Sequence, residues 1–171
     1  ITVMAALRAH SGDVDVARAQ AAGVTRFINP GVDIESSQAG VGLATAYPGV
    51  VYAAVGFHPN DTEAYEAHGL DEIRRLAAQP GVVSIGEIGL DFHYDHSPRD
   101  RQEEAFRRQI RIAREVNLPV IVHTREADDL TVAILKEEKA DEVGGVIHCF
   151  TGTQALADAA QQRQAVHVRH L

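Results

Sequence analysis

The hydrophobic and polar positions of the chain form short apolar runs separated by longer amphipathic stretches. The apolar runs are rich in β-branched residues and show little two-residue alternation, which is typical of parallel strands covered on both faces. They predict five strands: Val24–Pro30, Val50–Phe57, Val82–Gly89, Pro119–Thr124 and Gly145–Phe150. Helical periodicity in the intervals predicts six helices: Val14–Ala22, Ile34–Ala46, Leu70–Ala78, Pro98–Val116, Ala127–Lys139 and Gln154–Gln164. Strands that alternate with helices indicate an α/β fold with a parallel sheet.

Four of these strands end in residues that are capable of chemistry, namely His58, Glu87, His123 and His148. In a (β/α)8 barrel, the active site is built from the C-terminal ends of several different strands. A doubly wound sheet concentrates its site at one switch point, often with a glycine-rich phosphate loop. The sequence contains neither GxGxxG nor GxxxxGK[ST]. The pattern therefore favours a TIM barrel.

Composition and charge narrow the class of protein. The chain is 45% hydrophobic and 23% charged, as globular proteins are, and no composition break divides it, so we expect a single domain over residues 1–171. A net charge of −8 argues against a protein that coats nucleic acid electrostatically. It leaves room for a nuclease, because bound divalent cations supply local positive charge.

The single cysteine, Cys149, excludes an internal disulfide. No segment resembles a signal peptide or a membrane span, and together these features predict a cytoplasmic protein. Neighbouring strand residues point to opposite faces, so we expect Cys149 to pack in the interior rather than to pair with His148 as a nucleophile.

A metal site is the most specific chemistry that the strand ends indicate. Glu87 lies inside an apolar strand, where a carboxylate is rare without a metal or a partner such as an arginine. A single histidine at a strand end is often a hydrogen-bonded structural residue. One carboxylate and two imidazoles on successive strands, however, suit Zn²⁺, Mn²⁺ or a similar ion. We therefore expect Glu87, His123 and His148 to bind metal.

Two further polar residues follow the same strands. Asp91 could orient a ligand or a water, and it is equally suited to a turn. Arg125 is suited to a bidentate phosphate contact, or to a salt bridge with Glu126 or Asp128. Both alternatives remain open for each residue.

Four segments of the chain, taken together, resemble the TatD family of metal-dependent deoxyribonucleases. They are GFHPND (56–61), IGEIGLDFHYD (85–95), QEEAFRRQIRIAREVNLPVIVHTREADD (102–129) and GGVIHCFTGT (144–153). The resemblance runs from about Val24 to Thr153. It implies a TIM barrel of the metal-dependent hydrolase type that hydrolyses phosphodiester bonds of DNA with one or two divalent metal ions, such as Mg²⁺, Mn²⁺ or Zn²⁺.

The resemblance also implies roles for individual residues. Glu87 matches the metal-bridging glutamate of the family, and His58 matches a histidine that lies beside the substrate, so both are expected to be catalytic. His123 and His148 match strand-end metal ligands. The candidates for substrate binding are Asp91 and Arg125.

Two motifs of the family have no counterpart in this sequence. The family opens with an HxH metal pair and carries a late ETD-P motif, and neither occurs in the 171 residues. The expectation is an incomplete barrel with about strands two to six of eight. A metal-dependent deoxyribonuclease is the leading hypothesis. The alternatives are a hydrolase of another ester or amide on the same site, and a catalytically silent fragment.

Overall fold

The protein is described by a computed structural model that covers residues 2–4, 12–64, 67–149, 157–158 and 167–168. The strands are β1 (Thr2–Met4), β2 (Arg26–Pro30), β3 (Val51–Val55), β4 (Val82–Asp91), β5 (Val120–Arg125), β6 (Gly145–Ile147) and β7 (His167–Val168). The helices are α1 (Gly12–Ala21), α2 (Ile34–Ala46), α3 (Ala67–Ala77), α4 (Arg99–Val116) and α5 (Asp128–Glu137), with 3₁₀ turns at Pro59–Ala64 and Ala140–Glu142.

The strands form one parallel sheet in the order β1 to β7, so each strand pairs with the next along the chain. This order is that of a barrel, because a doubly wound sheet reverses direction at its switch point. The sheet curls far enough for residues of β1 and β6 to line one apolar cavity of about 190 Å³. Within the described residues, β1 and β7 are the two edges, so the structure is an open part of a TIM barrel. The predicted fold class is confirmed.

The predicted elements that lie within the described residues are present, with local changes at their ends. Helix α2 begins and ends where the sequence predicts. Its start is fixed by a capping box, in which the Asp33 carboxylate accepts from the backbone N–H of Ser36 while the Ser36 hydroxyl oxygen accepts from the backbone N–H of Asp33. Helix α4 ends at Asn117, which adopts a left-handed conformation with φ of 54°. The predicted helix Gln154–Gln164 lies outside the described residues except at 157–158, which are helical.

Strands β1 and β7 extend the five predicted strands at both ends of the sheet. They are only three and two residues long, too short for a periodic pattern to identify.

The core lies between the sheet and the helices that cover its outer face. Helix α4 contributes one apolar face, whose members are at most 1% exposed: Ala105, Phe106, Ile110, Ile112 and Ala113. Burial of this face fixes α4 against β4 and the 3₁₀ turn at Pro59–Ala64. Among the described helices, none combines the length and the apolar character needed to cross a bilayer.

Candidate active site

The carboxyl ends of β3 to β6 bring the predicted carboxylate and imidazole side chains together. Glu87 lies on β4, and its Oε1 atom is 3.3 Å from Nδ1 of His123 and 3.1 Å from Nδ1 of His148. The ring of His58 follows β3 and lies 4.5 Å from the ring of His123, centroid to centroid. Four side chains from four successive strand ends therefore share one cluster, which we call the rim cluster.

The donor atoms of the rim cluster fit a divalent metal ion. His58, Glu87 and His123 each offer one ligand atom, and these atoms lie within 4.8 Å of one another. The group that meets this spacing contains His58 and not His148, and His148 adjoins it through its contact with Glu87. Two or three imidazoles with one carboxylate suit Mn²⁺ or Zn²⁺.

Asp91 holds the ring of His123 in place. Its Oδ2 atom lies 3.1 Å from Nε2 of His123 and accepts a hydrogen bond from the side-chain amide of Asn60 at 3.1 Å. Nδ1 of His123 faces Glu87 and donates to it, so a metal bound at Nδ1 would replace that proton while Nε2–H stays bonded to Asp91. Asp91 is therefore placed to orient His123 toward Glu87.

His58 is bonded differently from the other two histidines. The backbone N–H of Asn60 donates to its Nδ1 at 3.2 Å, so the proton of a neutral ring is on Nε2. Burial, with the nearby His123, lowers the pKa of His58 to about 4, so the ring is neutral at pH 7. A neutral Nε2–H is a hydrogen-bond donor, which suits contact with a substrate oxygen better than metal ligation.

Glu87 is ionised in spite of its burial. Burial raises the pKa of its carboxyl group, but hydrogen bonds from His123 and His148 outweigh this and lower the pKa to about 2. The same contact raises the pKa of His148. The cluster thus contains a permanent anion beside imidazoles, which favours a bound cation.

Two glutamines of α4 clamp the strand ends that carry the site. The side-chain amide of Gln109 accepts from the backbone N–H of Phe57 at 2.7 Å and donates to its carbonyl at 3.1 Å. Gln102 makes the same pair of bonds with the backbone of Asp91, at 2.9 and 3.2 Å. Both glutamines are fully buried. Sequence reasoning missed them, although two polar residues within the apolar face of a predicted helix are a usable signal.

A glycine allows β4 and β5 to approach each other at the site. Gly89 pairs in register with His123 and has a φ of 144°, a conformation that favours glycine. A Cβ atom at this position would overlap the carbonyl oxygen of His123. The spacing of Glu87 and His123 therefore depends on the absence of a Cβ atom at Gly89.

The remaining predicted residues lie at the edge of the rim cluster. The guanidinium of Arg125 lies 4.8 Å from the centre of the Tyr94 ring, whereas Glu126 pairs with His93 at 2.7 Å.

The expectation that Cys149 packs in the interior is wrong. It is exposed in a turn with φ of 46°, and its Sγ atom is 3.3 Å from Nε2 of His148, because β6 ends at Ile147 and strand alternation does not apply.

Comparison with known proteins identifies relatives of the chain. The family model described as TatD related DNase matches residues 5–166. The metal-dependent hydrolase YabD of Bacillus subtilis is 44% identical over 155 residues, which are 88% of this chain and 60% of YabD. The 3'-5' ssDNA/RNA exonuclease TatD of a Pantoea strain is 44% identical over 144 residues, which are 84% of this chain and 55% of that protein.

A solved structure shows the same fold. The crystal structure of YJJV, a TatD homologue from Escherichia coli, superposes with a TM-score of 0.83 at 31% identity, covering 92% of this chain and 61% of YJJV. The chain thus spans between 55% and 61% of the length of these three relatives.

Proposed function

The chain belongs to the TatD-related DNase family, and on this premise we propose that its rim cluster is the central part of a divalent-metal-dependent nuclease site. The observation that supports this most directly is the position of Glu87 Oε1 between two imidazole nitrogens, one of them on a ring oriented by Asp91. Glu87, His123 and His148 would hold the metal. Once bound, such an ion lowers the pKa of a coordinated water and polarises a phosphoryl oxygen.

The protein's own side chains supply orientation and hydrogen bonds. Glu87 stays ionised at neutral pH and fixes both imidazole rings, and Asp91 fixes the tautomer of His123. His58 presents a neutral Nε2–H that donates to a phosphate oxygen, where charge develops in the transition state. Arg125 provides a second contact to the phosphate backbone.

The substrate that we propose is DNA, cleaved at its phosphodiester bonds. One relative is named as an exonuclease of single-stranded DNA and RNA, which supports a nucleic-acid substrate for this family member. The net charge of −8 is compatible with such a substrate because metal ions supply positive charge at the site. The single cysteine suits a reducing compartment, so we propose the cytoplasm as its location.

A hydrolysis assay with two substrates tests this function. We expect the chain to shorten a labelled single-stranded DNA oligonucleotide with Mn²⁺ or Mg²⁺, to lose this activity in EDTA, and to leave p-nitrophenyl acetate intact. Hydrolysis of the ester with intact DNA would contradict the nuclease proposal, and hydrolysis of neither would indicate a silent chain.

The role of His58 is tested in the same assay with His58→Ala. Loss of one hydrogen bond made to the transition state lowers kcat by roughly 100-fold or more. Metal affinity, measured by calorimetry, should stay within about threefold of wild type, because we assign the ring to substrate and not to metal. A loss of metal affinity as large as that of Glu87→Gln would instead make His58 a ligand.

A further inference from the structure

The loop that follows β4 carries an exposed aromatic ring beside the rim cluster. Tyr94 is 53% exposed and is the one large hydrophobic side chain that the described part of the chain presents to solvent. Tyrosine is enriched where proteins bind partners, because its ring can be buried on a ligand while its hydroxyl group stays hydrated.

The ring of Tyr94 is held by its neighbours. The guanidinium of Arg125 lies over it at 4.8 Å from the centroid, and the ring of His93 meets it edge-on at 4.8 Å. The ring of His96 lies tilted beside it at 5.6 Å. Tyr94 is therefore part of a group of planar side chains that lie against one another.

One buried carboxylate connects this loop to the candidate metal ligands. Asp91 Oδ1 accepts from the backbone N–H groups of His93 at 3.1 Å and Tyr94 at 3.0 Å, while its Oδ2 contacts His123. Arg125 follows His123 by two residues on β5 and pairs in register with Asp91. The aromatic ring and the metal ligands thus have a fixed relative position.

Two acidic groups of the same segment have side-chain partners. Glu126 pairs with His93 at 2.7 Å, and Asp95 pairs with Arg99 at 3.1 Å. The carboxylates of Glu126 and Asp95 therefore both have partners where an anionic ligand would approach Tyr94 and the guanidinium of Arg125.

We propose that Tyr94 and Arg125 form a stacking platform for a nucleobase of a single-stranded nucleic acid whose phosphate lies at the rim cluster. This inference rests on the proposed nuclease function. An aromatic face accepts any base, and an adjacent guanidinium contacts the phosphate backbone, which is the usual combination in single-strand binding. Bases of a duplex are already stacked, so the platform selects single strands or frayed ends.

Fluorescence tests the stacking directly, because the chain contains no tryptophan. Tyr94→Trp places a sole tryptophan on the platform. Tyr47→Trp is the matched control, since Tyr47 precedes β3 at the opposite end of the sheet. With Mn²⁺ and a phosphorothioate-linked oligothymidine that resists cleavage, we expect quenching of the indole in Tyr94→Trp and an unchanged signal in Tyr47→Trp. An unquenched signal from Tyr94→Trp at saturation, followed by anisotropy of the labelled oligonucleotide, overturns the platform.

Affinity measurements separate the base from the phosphate. Tyr94→Ala should weaken binding of the oligothymidine by roughly 5- to 100-fold, while Tyr94→Phe stays near wild type because the ring is kept. An abasic oligonucleotide with the same backbone should bind Tyr94→Ala and wild type equally. An equal loss on both oligonucleotides, or no binding by the wild-type chain, overturns the proposal.

The two proposals fail in different ways. If the chain binds and quenches but leaves ordinary DNA uncut, the nuclease function is contradicted and the platform is supported. If it cuts DNA and Tyr94→Ala binds both oligonucleotides as wild type does, the platform is contradicted and the function is supported.

Discussion

Two carboxylates of this protein are buried to the same extent and yet have different partners. The side chain of Glu87 is 10% exposed and contacts His123 and His148, whereas that of Glu138 is 9% exposed and contacts Arg107 and Arg111. The Glu138 pair is bidentate, with Arg111 donating at 2.7 and 2.6 Å. Both groups have a lowered pKa, chiefly through hydrogen bonds from Arg111 in the case of Glu138.

The difference between these partners separates a structural ion pair from a reactive site. A guanidinium stays charged at every physiological pH, so the anion of Glu138 is neutralised and its oxygens are occupied. An imidazole that has lost its proton is neutral and does not neutralise the charge of Glu87. It can instead bind the same metal cation as Glu87. The same residue type therefore serves stability at the end of α5 and, in our proposal, metal binding on β4.

Disruption of the strand contact beneath Glu87 is expected to have the largest effect. Gly89→Ala places a Cβ against the carbonyl oxygen of His123 at a φ that alanine rarely adopts, and we expect a loss of about 3 kcal/mol or more in the free energy of unfolding. Gly42→Ala is the matched control, because nothing lies within 4 Å of its Cβ and helix α2 should gain about 0.5–1 kcal/mol. Urea denaturation measures both. A Gly89→Ala variant as stable as wild type would show that the two strands need no close contact.

Acid should destabilise the protein through His58, and this is the next largest effect that we expect. Because the folded pKa of His58 is about 4 and its unfolded value is 6.5, the folded state binds fewer protons between these values and loses stability as pH falls through this window. The full displacement corresponds to about 3 kcal/mol. The carboxyl groups of Glu87 and Glu138, whose pKa values are lowered from 4.5, add to the loss only near the acid end of this window, and they do so in wild type and His58→Asn alike. Metal-free wild type should therefore lose stability from pH 6.5 to 4, and His58→Asn should lose less.

His148 changes the free energy of unfolding with pH in the opposite direction to His58, and it does so in a higher pH range. Its pKa is raised in the folded state, so the stability that it contributes is complete below pH 6.5 and is lost as pH rises through its folded pKa. Unfolding curves of wild type and His58→Asn should therefore diverge on the acid side only. Parallel curves from pH 6.5 to 4 would mean that His58 is not buried as a neutral ring.

The glutamine clamps should show a smaller effect. Gln109→Leu leaves the backbone N–H and carbonyl of Phe57 without their partners, which costs about 1–3 kcal/mol and moves the adjacent His58. Gln38→Leu alters an exposed glutamine that bonds to Glu72 on the helical layer, and it should change stability by less than about 0.5 kcal/mol. The imidazole resonances of His58 in NMR spectra report the displacement. Unshifted resonances in the Gln109→Leu variant would show that the clamp does not position the site.

The fold can be predicted from the sequence where local and tertiary signals agree. The bounds predicted for Ile34–Ala46 match to the residue, and the capping box that the structure shows at Asp33 is a local signal for the start of this helix. Strand β4 continues two residues beyond the predicted Gly89, because its pairing with β5 extends to Asp91 and Arg125. Such pairing depends on a neighbour distant in sequence, so a local pattern cannot show where it stops.

The site can be predicted only in part, for a similar reason. Strand-end position is sufficient to single out Glu87, His123 and His148, which the fold brings together. The hydrogen bonds of Gln102 and Gln109 depend on tertiary packing. The sequence of α4 does not show which strand-end backbone groups these two side chains will meet. The metal-ligand roles of the three residues stay predictions until a metal is measured.

A calorimetric titration of Mn²⁺ into wild type, Glu87→Gln and Glu138→Gln tests whether imidazole partners make Glu87 a metal-binding carboxylate. The two variants remove the same charge from side chains with nearly the same exposed fraction, 10% and 9%. We predict that Glu87→Gln weakens Mn²⁺ binding at least about 100-fold, and that Glu138→Gln leaves it within about threefold of wild type. Equal Mn²⁺ affinity in wild type and Glu87→Gln would show that Glu87 is not a metal ligand.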